Sequence, residues 1–118
     1  MTQLKRGMVI DINLDPALGS ETGKTRPCIV VTNDIYNERV PVIQVVPITA
    51  WSEVKARIKT NVQISPSLSN GLSKESIADC LQTRPVDRRF RLIKVRGNLE
   101  FHEMEEINVA LKKVFDLS

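Results

Sequence analysis

The chain has 118 residues, of which 42% are hydrophobic and 26% charged. These values fit one soluble domain with a single modest core. An aromatic fraction of 4% argues against reading single-stranded bases mainly by aromatic stacking, and a formal net charge of +3 permits a nucleic-acid or acidic partner without requiring one.

Met8 to Leu14 reads as a first strand with partial alternation. Asp15 to Thr25 carries Pro16, Gly19, Ser20 and Gly23 and reads as a turn-rich loop. Pro27 to Thr32 is a dense β-branched run and so a central strand, ended by Asn33-Asp34. Val42 to Thr49 is a third strand. Pro47 removes one ladder donor, which predicts an edge or a bulge there. Arg57 to Ile64 alternates in part and is expected as another strand, followed by a loop over Ser65 to Gly71. Ser76 to Leu81 is a further apolar strand, Gln82 to Asp87 a connector through Pro85, and Phe90 to Val95 a last short strand that leaves through a Gly97-Asn98 turn.

The C-terminus changes period. Met104, Ile107, Leu111 and Val114 fall at helical spacing, with Phe101 and Ala110 near the same face. Acidic residues crowd the start and lysines the end, as the helix dipole favours, although Glu100 is a poor N-cap. Many short strands followed by one amphipathic helix imply a small, strongly bent antiparallel sheet or barrel with a helix packed on it.

Cys28 and Cys80 both sit in apolar, β-branched surroundings and read as reduced, buried strand residues; a zinc site would need more ligands. The N-terminus has no apolar signal core and no stretch approaches a membrane span, so a cytoplasmic location is expected.

Three stretches carry a specific resemblance: Lys5-Arg6-Gly7-Met8-Val9; Gly19-Ser20-Glu21-Thr22-Gly23-Lys24-Thr25-Arg26-Pro27 running into Cys28 to Asn33; and Val46-Pro47-Ile48-Thr49. Together, and with Asp79 to Arg84 and the C-terminal helix, the chain resembles the MazF/PemK toxin family over nearly its whole length. Met8 stands where the family often has an acidic residue, and Glu100 where it often has a serine or threonine.

The resemblance implies a mainly β, SH3-like barrel with a C-terminal helix, the fold shared with CcdB-like toxins. It also implies a homodimer that cleaves single-stranded RNA without a metal and is restrained by a MazE-like antitoxin with an acidic, disordered segment. By resemblance, Arg26 and Thr49 match the catalytic arginine and threonine, and Ser20 and Glu21 match loop positions near the cleaved phosphate. Gly19, Lys24, Trp51, Gln82 and Arg84 are further expected RNA contacts. A CcdB-like gyrase poison uses a Trp-Gly-Ile tail, whereas this chain ends Val114-Phe115-Asp116-Leu117-Ser118. A non-catalytic RNA-binding barrel would need neither Arg26 nor Thr49 in this arrangement.

These residue types suit the chemistry. Metal-free RNA cleavage uses the 2′-hydroxyl as internal nucleophile and must stabilise phosphorane charge while two protons move. A guanidinium fork can make two parallel hydrogen bonds to phosphate oxygens, but it almost never yields its proton. Either Glu21, the one carboxylate in the motif, is the base, or Arg26 acts purely as an electrostatic clamp. Trp51 is open between base stacking and a dimer contact. The arginines from Arg84 to Arg96 and the cluster Lys55, Arg57 and Lys59 are open between a phosphate-attracting surface and a solvated charged face. His102 reads as a surface residue.

Overall fold

The computed structural model describes residues 2–118. Its chain order is β1 (Met8–Asn13), β2 (Thr25–Val30), α1 (Asp34–Asn37), β3 (Val42–Ala50), α2 (Glu53–Ala56), β4 (Asn61–Ile64), β5 (Ser76–Asp79), a 3-10 turn (Cys80–Gln82), β6 (Arg84–Asp87), α3 (Arg88–Arg91), β7 (Leu92–Asn98) and α4 (Phe101–Phe115). The fold is mainly antiparallel β with a C-terminal helix, as expected from the pattern. Strands run in the order β4-β5-β3-β2-β1-β7, with β6 also on β3.

β3 is the organising strand. One edge pairs with β2. Along the other, Val42 to Val45 pair with β6 and Ile48 to Ala50 pair with β5. A strand that belongs to two sheets turns the corner between them. Pro47, which has no N–H to donate, falls in the interval between the two partners. It therefore marks neither an edge nor a bulge, contrary to expectation, but a change of partner inside a central strand.

The dense apolar runs are explained by burial on both faces. Successive strand residues point to opposite sides. Val9, Ile29, Val46 and Ile48 enter one cluster, with Leu72, Leu99, Ile107 and Ala110. Ile10, Cys28, Val30 and Val45 enter a second, with Leu4, Ile12, Leu14 and Val86. α4 closes the first cluster with Ile107 and Ala110, and Met104, Leu111 and Val114 pack beside them. Phe101 does not join that face; it is exposed. The poor N-cap is compensated by Glu103, whose Oε1 accepts from the Glu100 backbone N–H at 2.8 Å.

Three further expectations are corrected. The strand expected over 57–64 begins only at Asn61, because the Ser52 side chain accepts from the Lys55 N–H and caps the short α2. The connector expected over 82–87 contains β6: the extended conformation that Pro85 imposes on Arg84 is that of a strand, and β6 pairs on one side only, so the missing donor is tolerated. The strand expected over 90–95 is displaced, since α3 runs to Arg91 and β7 continues through Gly97-Asn98, which is strand, not turn. α1 was not expected either. Asn33 caps it by accepting from the Ile35 N–H at 2.9 Å.

Cys28 and Cys80 are both free and buried. No helix among the described residues is long and apolar enough to cross a membrane.

Candidate active site

The loop from β1 to β2 builds the first half of the site. Gly23 packs so closely that a Cβ there would lie 2.7 Å from Asp15 Oδ1 and 2.9 Å from Ala17 Cβ. Its carbonyl accepts from Arg26 Nε at 2.9 Å. The next residue, Lys24, has a positive φ of 68° and donates its N–H to Asp15 Oδ1 at 2.8 Å. This is the physical content of the Gly-x-x-Arg spacing: a tight return whose carbonyl seizes the guanidinium it precedes. No hydrogen bond or ion pair among the described residues engages the Arg26 Nη nitrogens, and the side chain is half-buried on a scaffold strand.

β3 supplies the second half. Thr49 lies two residues past Pro47, paired with Ile77 of β5. Arg26 and Thr49 line one open cavity of about 290 Å³, with Thr25, Pro27, Ser73, Lys74, Ser76 and Arg96 among the other walls. Its lining carries three cationic side chains and no carboxylate or imidazole.

Lys55 completes this side. Its Nζ lies 3.3 Å from Thr49 Oγ1. Sequence reasoning assigned Lys55 to a basic cluster and missed this contact. The signal was present in Ser52-Glu53, an N-cap followed by an acidic first-turn residue, which turns the chain back over the strand it leaves. Lys74 and Arg96 were likewise not singled out as site residues, because the loop and strand that carry them meet the cavity only through the tertiary fold.

The other expected residues gather elsewhere. Glu21, Gln82 and Arg84 line a second concavity of about 350 Å³. The Glu21 carboxylate accepts from the Leu18 N–H at 2.8 Å and so pins its own loop. Gln82 clasps that loop from the opposite side: its Nε2 donates to Ser20 O at 3.1 Å and its Oε1 accepts from the Thr22 N–H at 3.2 Å. Arg84 donates to Leu14 O at 3.0 Å. Gly19, with φ of 56°, and Ser20 stand exposed at the bend. Trp51 is 43% exposed, and its N–H extends the β3–β5 ladder by donating to Glu75 O. The structure thus brings together Arg26 and Thr49, and separately Glu21, Gln82 and Arg84.

The arginine-rich stretch is not one surface: Arg89 and Lys94 are solvent-exposed, whereas the other arginines face fixed partners. Arg88 is buried and donates to the Asn37 and Thr2 carbonyls. Arg91 Nη1 donates to the Asn13 and Asp15 carbonyls at 2.8 and 2.7 Å. Arg89 pairs with Asp87 and Arg96 with Asp11. His102 is a surface residue, near Glu100. In the second core cluster, burial pushes the Cys28 thiol up to about 12, reinforced by the Asp11 charge and opposed by Arg84 and Arg26. It is an inert core residue, not a nucleophile.

A family model described as the PemK-like, MazF-like toxin of type II toxin-antitoxin systems matches residues 5–115. Endoribonuclease EndoA of Bacillus subtilis (strain 168) is 35% identical over 109 residues, covering 92% of this chain and 91% of its own. Endoribonuclease MazF of Staphylococcus saprophyticus is 35% identical over 108 residues, covering 92% and 88%. In fold, a MazF structure from Deinococcus radiodurans agrees with a TM-score of 0.85 at 20% identity, covering 99% of this chain and 100% of that one. An endoribonuclease solved in complex with its cognate antitoxin, from a mycobacterial species, agrees at 0.76 with 21% identity, covering 96% and 95%. On sequence and on fold alike, the chain belongs to the PemK/MazF toxin family of type II toxin-antitoxin systems.

Proposed function

We propose that the protein is an endoribonuclease toxin that cuts single-stranded RNA by attack of the 2′-hydroxyl on the adjacent phosphate, leaving a 2′,3′-cyclic phosphate and a 5′-hydroxyl. The observation that carries this is the shared cavity: Arg26, its Nη nitrogens unengaged, and Thr49 line one concavity of about 290 Å³. Arg26 offers a fixed donor fork to the non-bridging oxygens, and Thr49 a second donor. With no carboxylate or imidazole in the lining, the rate enhancement rests on in-line placement and charge stabilisation. Glu21 is retained as the competing base, since it is the one carboxylate of the loop motif; its Oε1 holds the Leu18 N–H and its second oxygen is left to take a proton.

The working unit is a homodimer restrained by an antitoxin whose acidic, disordered segment competes with RNA. Ile93 and Val95, on the same face of the edge strand β7, together with Phe90 leave apolar surface exposed, which favours self-association. A flexible acidic segment can wrap a long surface and substitute its charge for phosphate. RNA contacts are assigned to Gly19, Ser20, Lys24, Trp51, Gln82 and Arg84 around the cavity and its neighbour.

The test is incubation of the purified chain with a long RNA in excess chelator, with end analysis of the fragments. Cyclic-phosphate and 5′-hydroxyl ends are expected, with resistance where the cut nucleotide lacks its 2′-hydroxyl. Efficient cutting of that substrate would show the internal attack to be wrong.

A further inference from the structure

Asp11 lies inside the sheet on the same side as Val9, between β2 and β7, and is 5% exposed. A carboxylate there needs a fixed partner. Arg96 provides it, with Nε 2.6 Å from Asp11 Oδ1, and Lys94 Nζ stands 3.9 Å from Oδ2 at the rim. Arg96 Nη1 donates to Gly71 O at 3.1 Å. Gly71, with φ of 67°, presses so close that a Cβ would lie 2.5 Å from Arg96 O. The guanidinium is thus clamped at Nε and Nη1, while Nη2 has no partner among the described residues. The same side chain lines the Arg26–Thr49 cavity.

We infer that Arg96 is a specificity-determining residue that reads the acceptor edge of a guanine flanking the scissile phosphate. The inference rests on the nuclease reading above. Its ground is a difference between the cavity's cations. Arg26 and Lys74 have no carboxylate partner and suit phosphate. Arg96 has its charge compensated by a buried carboxylate but, with two of its five N–H donors engaged, keeps one on Nη1 and two on Nη2 in fixed orientation, which suits neutral acceptors. Guanine presents two such acceptors side by side, O6 and N7, on an edge that single-stranded RNA leaves open, whereas the comparable pair of cytosine, O2 and N3, lies on its pairing edge. If Asp11 and Arg96 served only to fasten the 69–74 loop to β7, they would have no effect on base choice.

The test measures binding of short RNAs with 2′-deoxyribose at the cut position, carrying guanine or 7-deazaguanine beside it. The proteins compared are wild type, Arg96→Gln, and the double variant Asp11→Val/Arg96→Leu, which removes the pair without stranding a buried charge. Wild type should prefer guanine by about tenfold or more, and both variants should lose that preference. The salt dependence of binding should be unchanged by Arg96→Gln, whereas Lys74→Ala should lower its slope by about 0.7. Equal wild-type affinity for both RNAs would overturn the inference. So would an Arg96→Gln variant that keeps the preference and loses salt slope, since that is the behaviour of a phosphate contact. A protein that discriminates guanine but cuts no RNA would sink the nuclease reading and leave this one standing; one that cuts RNA without the preference does the reverse.

Discussion

Lys55 Nζ donates to Thr49 Oγ1 across 3.3 Å. An ammonium has only donors, so the threonine oxygen is the acceptor and its own proton is directed elsewhere. Thr49 therefore faces the cavity as a donor, and the nearby positive charge strengthens that donor.

Lys55→Met should lower kcat by about tenfold, the effect of one oriented hydrogen bond, with a smaller change in KM. The same substitution made in a Thr49→Ala background should add little. Full additivity of the two losses, measured by steady-state cleavage of a fluorescent RNA, would show that Lys55 acts independently of Thr49.

Arg26→Ala should cost about 3 kcal/mol of barrier, roughly two orders of magnitude in rate, without unfolding the chain. Glu21 separates two mechanisms. Glu21→Gln keeps an oxygen that can accept from the Leu18 N–H, so a residue that only pins its loop gives near-normal rates. Loss of activity comparable to that of Arg26→Ala, with the fold intact by circular dichroism, would make Glu21 the base.

Arg88 and Arg89 are neighbours with opposite roles. Arg88→Ala strands the Asn37 and Thr2 carbonyls and should destabilise by about 2–3 kcal/mol, read as a fall in the urea midpoint. Arg89→Ala removes only an exposed pair with Asp87 and should shift the midpoint far less. Equal shifts would contradict the buried assignment of Arg88.

Burial raises both cysteine thiols from 9.0 to about 12. The folded chain holds these protons while the unfolded chain releases them above pH 9, so unfolding is increasingly favoured as pH rises from about 9 towards 12. Replacing Cys28 and Cys80 with alanine should flatten that alkaline decline while lowering stability at neutral pH through the cavities left behind. An unchanged alkaline slope would remove the thiols as its cause.

Much of this architecture was legible in the residue order. The strands of the first fifty residues follow from hydrophobic runs buried on both faces, and α4 from the spacing of Met104, Ile107, Leu111 and Val114. The pairing of Arg26 with Thr49 came through the family resemblance, and the shared cavity accords with it. What could not be read was tertiary. β6 looked like a connector because Pro85 is costly in a strand, and only the fact that β6 pairs on a single side removes that cost. The basic residues from Arg84 to Arg96 looked interchangeable as charge, yet Arg88 and Arg91 face backbone carbonyls and Arg96 faces a buried carboxylate. Arg96 reaches the cavity across a chain separation that no local pattern encodes, whereas the Lys55 contact with Thr49 is local and was missed in the short cap that carries it.

Where β3 passes from β6 to β5, Pro47 has no N–H to offer. At that interval β3 has one backbone donor fewer to hold it to its neighbours, while Pro47 stays in register with Cys28 of β2. Thr49 lies just beyond it, on the β5 side, while Arg26 stands on β2 across β3's other edge. Arg26 and Thr49 therefore reach the cavity from two different strands, and a ligand chain lying in it would bridge β2 and the β5 side of β3 at once.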